Sequence, residues 1–129
     1  MPNSPAHPSD DPSLSAFLEA LEDLDVALER NIERTQRMKG RIAQLQEALA
    51  RGDSLIDTVP REEPPLIVRL LTESAETLQE CGSRVRRTEA AVLHQQGMTM
   101  DQIARLFGVT RQRVSVLLRG TPSMRDEPR

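Results

Sequence analysis

Apolar residues recur at alternating spacings of three and four from Leu14 onward. With Leu14 taken as position a of a seven-residue repeat, the a/d seam holds Leu14, Phe17, Leu21, Leu24, Leu28, Met38, Ile42, Leu45 and Leu49, broken only by Asn31 and Thr35. The pattern predicts one helix of about 37 residues, roughly 55 Å long at 1.5 Å per residue, with Ser13 as its N-cap ahead of Glu19 and its acidic neighbours. A second stripe follows at the same spacings: Ile67, Leu71, Ser74, Leu78, Cys81, Val85, Thr88 and Val92. One helix cannot bury such a stripe alone. In a parallel two-stranded pairing Arg34 would face Lys39 of the other chain, while Ala20, Ala27 and Ile32 would contribute no ion pairs. The expected arrangement is therefore an antiparallel hairpin, joined through residues 51–65, that associates with a second copy because two helices enclose little core. Asn31 on the seam either sets register or is a tolerated polar residue.

The pattern then shortens. Gly97 and Gly108 bracket TMDQIARLFG, in which Ile103, Ala104 and Phe107 share one helical face. Thr99 is placed to cap this helix, Gly108 to turn the chain, Val109 to point inward and Thr110 to cap the next helix. Val114, Leu117 and Leu118 should then return to the core before Gly120 stops the element. Ala104 suits a position where the second helix crosses the first closely. These are the marks of a helix-turn-helix.

Proline supports the division, since it lacks an N–H and breaks a helix interior. All nine prolines fall at residues 2–12, 60–65 or 122–128, leaving 13–59 and 66–121 free of them. The expected architecture is all-α: a disordered head (1–12), a long-helix oligomerisation module (13–83), a helix-turn-helix domain (84–120) and a disordered tail (121–129). The polar head and tail have too little apolar surface to offset the entropy of ordering.

Charge sharpens this picture. The net charge of −3 conceals an acidic part and a basic one: residues 1–80 carry 8 Arg/Lys against 16 Asp/Glu, and residues 81–129 carry 9 against 4. A basic C-terminal third points to a polyanion. Arginine outnumbers lysine 16 to 1, which can reflect a GC-rich genome, so no single arginine is weighted on that ground.

The stretch VTRQRVSVLL resembles the recognition helix of sigma-70 region 4, and RTEAAVLHQQG matches the helix that precedes it in that family. The resemblance covers residues 84–119. It implies that Thr110, Arg111 and Arg113 lie near DNA. Gln112 stands where the family usually has a base-reading Glu, and Val116 where it commonly has a base-reading Gln. Nothing resembles the aromatic-rich sigma region that melts DNA, so a sigma factor is not expected. Serine recombinases carry similar ends, but their catalytic domain has no counterpart here.

The residue types agree with a duplex partner on their own account. With Val114, Leu117 and Leu118 inward, the outer face of the second helix offers Arg111, Gln112, Ser115 and Val116 to base edges: Arg to guanine O6/N7, Gln to adenine N6/N7, Val to a thymine methyl. Thr99, Gln102, Thr110, Arg113 and Arg119 are better placed for phosphates. Two aromatics, Phe17 and Phe107, are too few for the stacking platforms that single strands use. Only His7 and His94 and the lone Cys81 are present, so no metal site or cofactor is expected, and no catalytic motif is present. With no apolar N-terminal run or membrane span, the expectation is a cytoplasmic, bacterial, non-enzymatic transcription regulator, nucleoid-associated when bound to DNA, that recognises double-stranded DNA as a homodimer or higher homo-oligomer. The alternative is a helical protein that binds RNA polymerase or another regulator.

Overall fold

The computed structural model describes residues 11–62 and 64–119. Five helices succeed one another: α1 (Pro12–Ala50), α2 (Leu55–Thr58), α3 (Ile67–Gln95), α4 (Met100–Phe107) and α5 (Arg111–Arg119), with a single 3₁₀ turn at Val59–Arg61 after α2. No strand occurs among the described residues. The expected disordered head and tail, and the stop at Gly120, lie outside the described residues apart from Asp11 and Pro12. The chain separates into two units, one of residues 25–80 and one of residues 11–24 with 81–119.

The N-terminus of α1 begins two residues earlier than the sequence suggests. Asp11, not Ser13, is the cap: its carboxylate accepts from the Ser13 backbone N–H at 2.9 Å, and its carbonyl accepts from Ser15 N–H. Pro12 then occupies the first helical position, where a missing N–H costs nothing because that N–H would have no partner within the helix. At the other end, Asp53 N–H donates to Ala48 O and closes the last turn.

Within residues 25–80, α1 and α3 run antiparallel. Arg34 Nε lies 3.8 Å from Glu73 Oε1, and the Arg41 guanidinium donates to the Pro65 carbonyl. The seam differs from the predicted one. Ala27, Ala48 and Leu70 are the buried apolar residues, flanked by half-buried Asn31, Met38, Leu45, Ile67 and Ser74. Half of the predicted α1 seam, the row containing Asn31, Met38 and Leu45, is therefore inside. Leu28, Ile42 and Leu49 are open to solvent, as are Leu71 and Leu78 of α3. The physical reason is volume. Two helices approach closest where one presents alanine, so the pair closes on the row that holds Ala27 and turns the leucine row aside, while Ala48, beyond the Arg41–Pro65 contact, lies level with the connecting segment. Asn31 does not bridge the helices; its Oδ1 accepts from Arg34 of its own helix at 3.2 Å. Ser74 Oγ is buried without a partner, a cost that the close approach imposes.

The connecting segment 51–65 is more ordered than a plain loop. Ser54 and Asp57 side chains bond one another at 2.8 Å, Thr58 Oγ1 donates to Ser54 O at 2.7 Å, and Glu62 accepts the first exposed amide of α3, that of Ile67, at 3.0 Å. A carboxylate there also suits the positive end of the helix.

In the other unit, residues 12–24 of α1 lie against the C-terminal half of α3. Ala20 is buried, and Arg84 pairs with Glu19 at 3.3 Å and with Asp23. Beyond this point α3 becomes the first of three helices around a core of Ala90, Ile103, Ala104, Val114 and Leu117, with Leu93, Met98, Met100, Phe107 and Leu118 packed against it. The short helices thus lean on α3, as expected for a motif too small to enclose its own core.

Candidate nucleic-acid interface

The corner between α4 and α5 is built by backbone chemistry that the sequence announces. Thr99 caps α4 reciprocally: its hydroxyl accepts from Gln102 N–H at 3.1 Å while Gln102 Oε1 accepts from Thr99 N–H at 2.8 Å. Ile103 is completely buried and Ala104 nearly so. The helix stops because Gly108 adopts φ 71°, a left-handed conformation that side chains with a Cβ resist. This lets Val109 N–H donate to Ala104 O at 3.0 Å and Gly108 N–H to Arg105 O at 3.3 Å, satisfying two of the last carbonyls of α4.

One expectation at this corner fails. Val109 does not turn inward but remains 37% exposed. The glycine-centred turn spends its backbone donors on the end of α4, which directs the following side chain away from the core. Thr110 then caps α5, its hydroxyl accepting from Arg113 N–H at 3.1 Å. A similar turn joins α3 to α4: Gly97 has φ 108°, Met98 N–H donates to Leu93 O at 3.0 Å, and His94 Nδ1 lies 3.2 Å from the Met98 carbonyl. His94 is thereby a turn residue on the surface.

The inner side of α5 is fixed by Val114 and Leu117, with Leu118 half-buried. Anchoring these three leaves Arg111, Gln112, Val116 and Arg119 on the open side, all exposed. Ser115 lies on the same side but is half-buried, and its hydroxyl accepts from Arg119 Nη1 at 3.3 Å. Of the four side chains assigned to base edges, three are therefore free to reach outward, while Ser115 is partly covered and already bonded.

The five residues assigned to phosphates divide differently. Arg113 and Arg119 project from α5, Thr110 stands at its N-terminus, and Thr99 and Gln102 stand at the N-terminus of α4; all are exposed. The last two are committed to each other through the capping box. Their backbone end of α4 remains a place where an anion is favoured, because the first amides of a helix point outward.

Two features of the interface have no spacing signal in the sequence. Arg111 Nη1 lies 3.7 Å from Asp101 Oδ1, linking the first turn of α5 to that of α4. Both side chains are about two-thirds exposed, so the pair contributes about 0–1 kcal/mol and mainly biases where the guanidinium rests. Arg105 in the last turn of α4 is also exposed. Residues 82–120 carry seven arginines against Glu89 and Asp101; among the described residues Arg84 is tied to Glu19 and Asp23, and Arg111 to Asp101.

Among the described residues no group of His, Cys, Asp or Glu is arranged to hold a metal ion, and no helix is long and apolar enough to cross a membrane. Comparisons with curated proteins and with solved structures gave no match. Residues 82–120 do match a family model, that of a homeodomain-like domain. The match names a helix-turn-helix and suggests DNA binding, without singling out the sigma-70 region 4 resemblance drawn from VTRQRVSVLL.

Proposed function

We propose that this chain is a sequence-specific double-stranded DNA-binding transcription regulator of a bacterial cytoplasm, reading the major groove with α5 and nucleoid-associated when bound. The observation that carries this reading is the two-sidedness of α5: Val114 and Leu117 hold it from beneath, while Arg111, Gln112, Val116 and Arg119 remain open together. Arg111 donates to guanine, Gln112 pairs with adenine and Val116 covers a thymine methyl. Ser115 makes a base contact only after releasing Arg119. Thr99, Gln102, Thr110, Arg113 and Arg119 set the docking position on phosphates. The wording of VTRQRVSVLL keeps a sigma-70 region 4-like docking geometry as the expected pose. No cofactor or catalytic step is part of this function.

Self-association through the long helices would present two copies of α5 to one duplex. An inverted repeat would follow, with half-sites about 34 Å apart or a multiple of that distance. Selection of bound fragments from sheared genomic DNA, followed by anisotropy on the selected duplex, tests the reading. Recovered fragments should share a motif, and Arg111→Ala should cost about 1–3 kcal/mol while relaxing the preference at one base pair. Equal binding by Arg111→Ala would remove Arg111 as a reader. Failure to select any shared sequence would favour the other assignment, a helical protein that binds RNA polymerase or another regulator.

A further inference from the structure

The unit of residues 25–80 leaves one side apolar. Leu28, Ile42 and Leu49 each follow by one position a residue of the inner row, namely Ala27 level with α3, Arg41 at the Pro65 carbonyl and Ala48 level with the connecting segment; Leu71 and Leu78 follow Leu70 and Thr77 of α3 in the same way. One residue is about 100° of helical turn. Because α1 and α3 run in opposite directions, equal turns carry both rows to the same side of the pair. The five side chains are 36–54% exposed. The opposite side holds Arg30, Arg37 and Gln44 of α1 with Glu80 of α3, all exposed.

The order of residues along this side identifies what covers it. Thr35 is the one polar member of the row, and it lies midway between Leu28 and Ile42, seven residues from each. In sequence the match continues, since Leu21 and Leu49 are each fourteen residues from Thr35. A row that is apolar at equal distances either side of one polar residue is complementary to itself when reversed. Two copies related by a two-fold axis at the level of Thr35 set Leu28 of each against Ile42 of the other. They meet their polar residue only once, threonine against threonine. The register given by Arg34–Glu73 and Arg41–Pro65 puts Leu71 level with Thr35 and Leu78 level with Leu28, so leucines from α3 close the layers beside them.

Charge on the rim agrees. The outer neighbours of the row on α1 are Asp25, Ile32, Lys39 and Gln46. Reversal about Thr35 sets Asp25 near Gln46 of the other copy and Lys39 near Ile32, so no like charges meet. The five open side chains expose about 400 Å² of largely apolar surface per copy, enough for the centre of an interface of about 800 Å² per partner.

We propose that the Leu28–Thr35–Ile42–Leu49 row of α1 with Leu71 and Leu78 of α3 is a two-fold interface with a second copy of this chain, α1 antiparallel to α1 and Thr35 on the axis. This deepens the homo-oligomer part of the function proposed above and does not depend on DNA binding. The test uses the full chain without DNA. Sedimentation at about 100 µM should give twice the 14.5 kDa chain mass, and Leu28→Asp with Ile42→Asp should return the mass to one copy with helical circular dichroism retained. In a Cys81→Ser background, Thr35→Cys should join two copies through a short bis-maleimide, whereas Gln44→Cys should not; this reading leaves the apolar row intact, so it stands even where the aspartates unfold the protein. A one-copy mass at that concentration, a dimer that survives both aspartates, or Thr35→Cys chains that fail to join each overturns the proposal and gives the row to a different protein. Duplex binding is measured separately, so loss of one result does not imply loss of the other.

Discussion

Gly108 has the most demanding backbone of the helix-turn-helix. Its φ of 71° is open to glycine and strained for alanine, and nothing crowds the site where a Cβ would stand. Gly108→Ala should therefore cost about 1 kcal/mol through conformation alone, seen as a drop of about 4–8 °C in melting temperature. Ile103 tests packing instead. It is fully buried in the three-helix core, so Ile103→Ala should cost about 2–5 kcal/mol, measured by urea unfolding of the full chain, and should weaken duplex binding without touching a predicted DNA contact. A variant with wild-type stability would show that the core around Ile103 collapses to fill the space.

At the scale of the element, the helix ends were legible from the sequence because capping is local chemistry. Thr99, Gly108 and Thr110 each do what their types and spacings announce, while Gln102, expected at a phosphate, also closes the capping box of α4. Thr99→Ala should remove one side of the capping box, costing about 1 kcal/mol and speeding amide hydrogen exchange at Gln102 more than at Val114. The helical face of α5 was likewise readable, because Val114, Leu117 and Leu118 leave little choice of inner side. What could not be read is which face of α1 meets α3. The leucine row and the row beside it offer similar apolar periodicity, and the choice turns on how near two backbones can come. Alanine at position 27 favours the face that closes, and a scale of hydrophobicity ranks it below leucine. Asp11 was missed as a cap because Ser13 is as good a capping type two residues on. Val109 departs from the rule that an apolar residue after a turn points inward, because the backbone hydrogen bonds of that turn direct it out. The pairing of Arg111 with Asp101 joins residues of two helices and has no sequence spacing to betray it.

On the scale of the whole molecule, charge supplies a measurable consequence. The acidic stretch before residue 81 repels a polyanion while the basic one after it attracts, so duplex binding should show a steep negative slope of log affinity against log salt. Arg113→Ala and Arg119→Ala should each flatten that slope by about one unit while leaving the order of preferred sequences unchanged. Arg111→Ala should alter the order as well. Salt slopes unchanged from the wild type in all three variants would mean that α5 does not lie along the duplex.

The alanines at the interior of α1 have an evolutionary implication. Where helix separation is set by the smallest side chain, tolerance to change runs against intuition. Enlarging Ala27 to leucine adds greasy surface yet wedges α1 from α3, and enlarging Ala48 displaces the connecting segment, while trimming Leu28 or Ile42 to a polar residue costs the single protomer little. A library scored for the folding of one chain would mark the alanines as the constrained sites. Scored for assembly, the same library would give the leucines a penalty of their own, and the gap between the two maps would outline the self-association surface residue by residue.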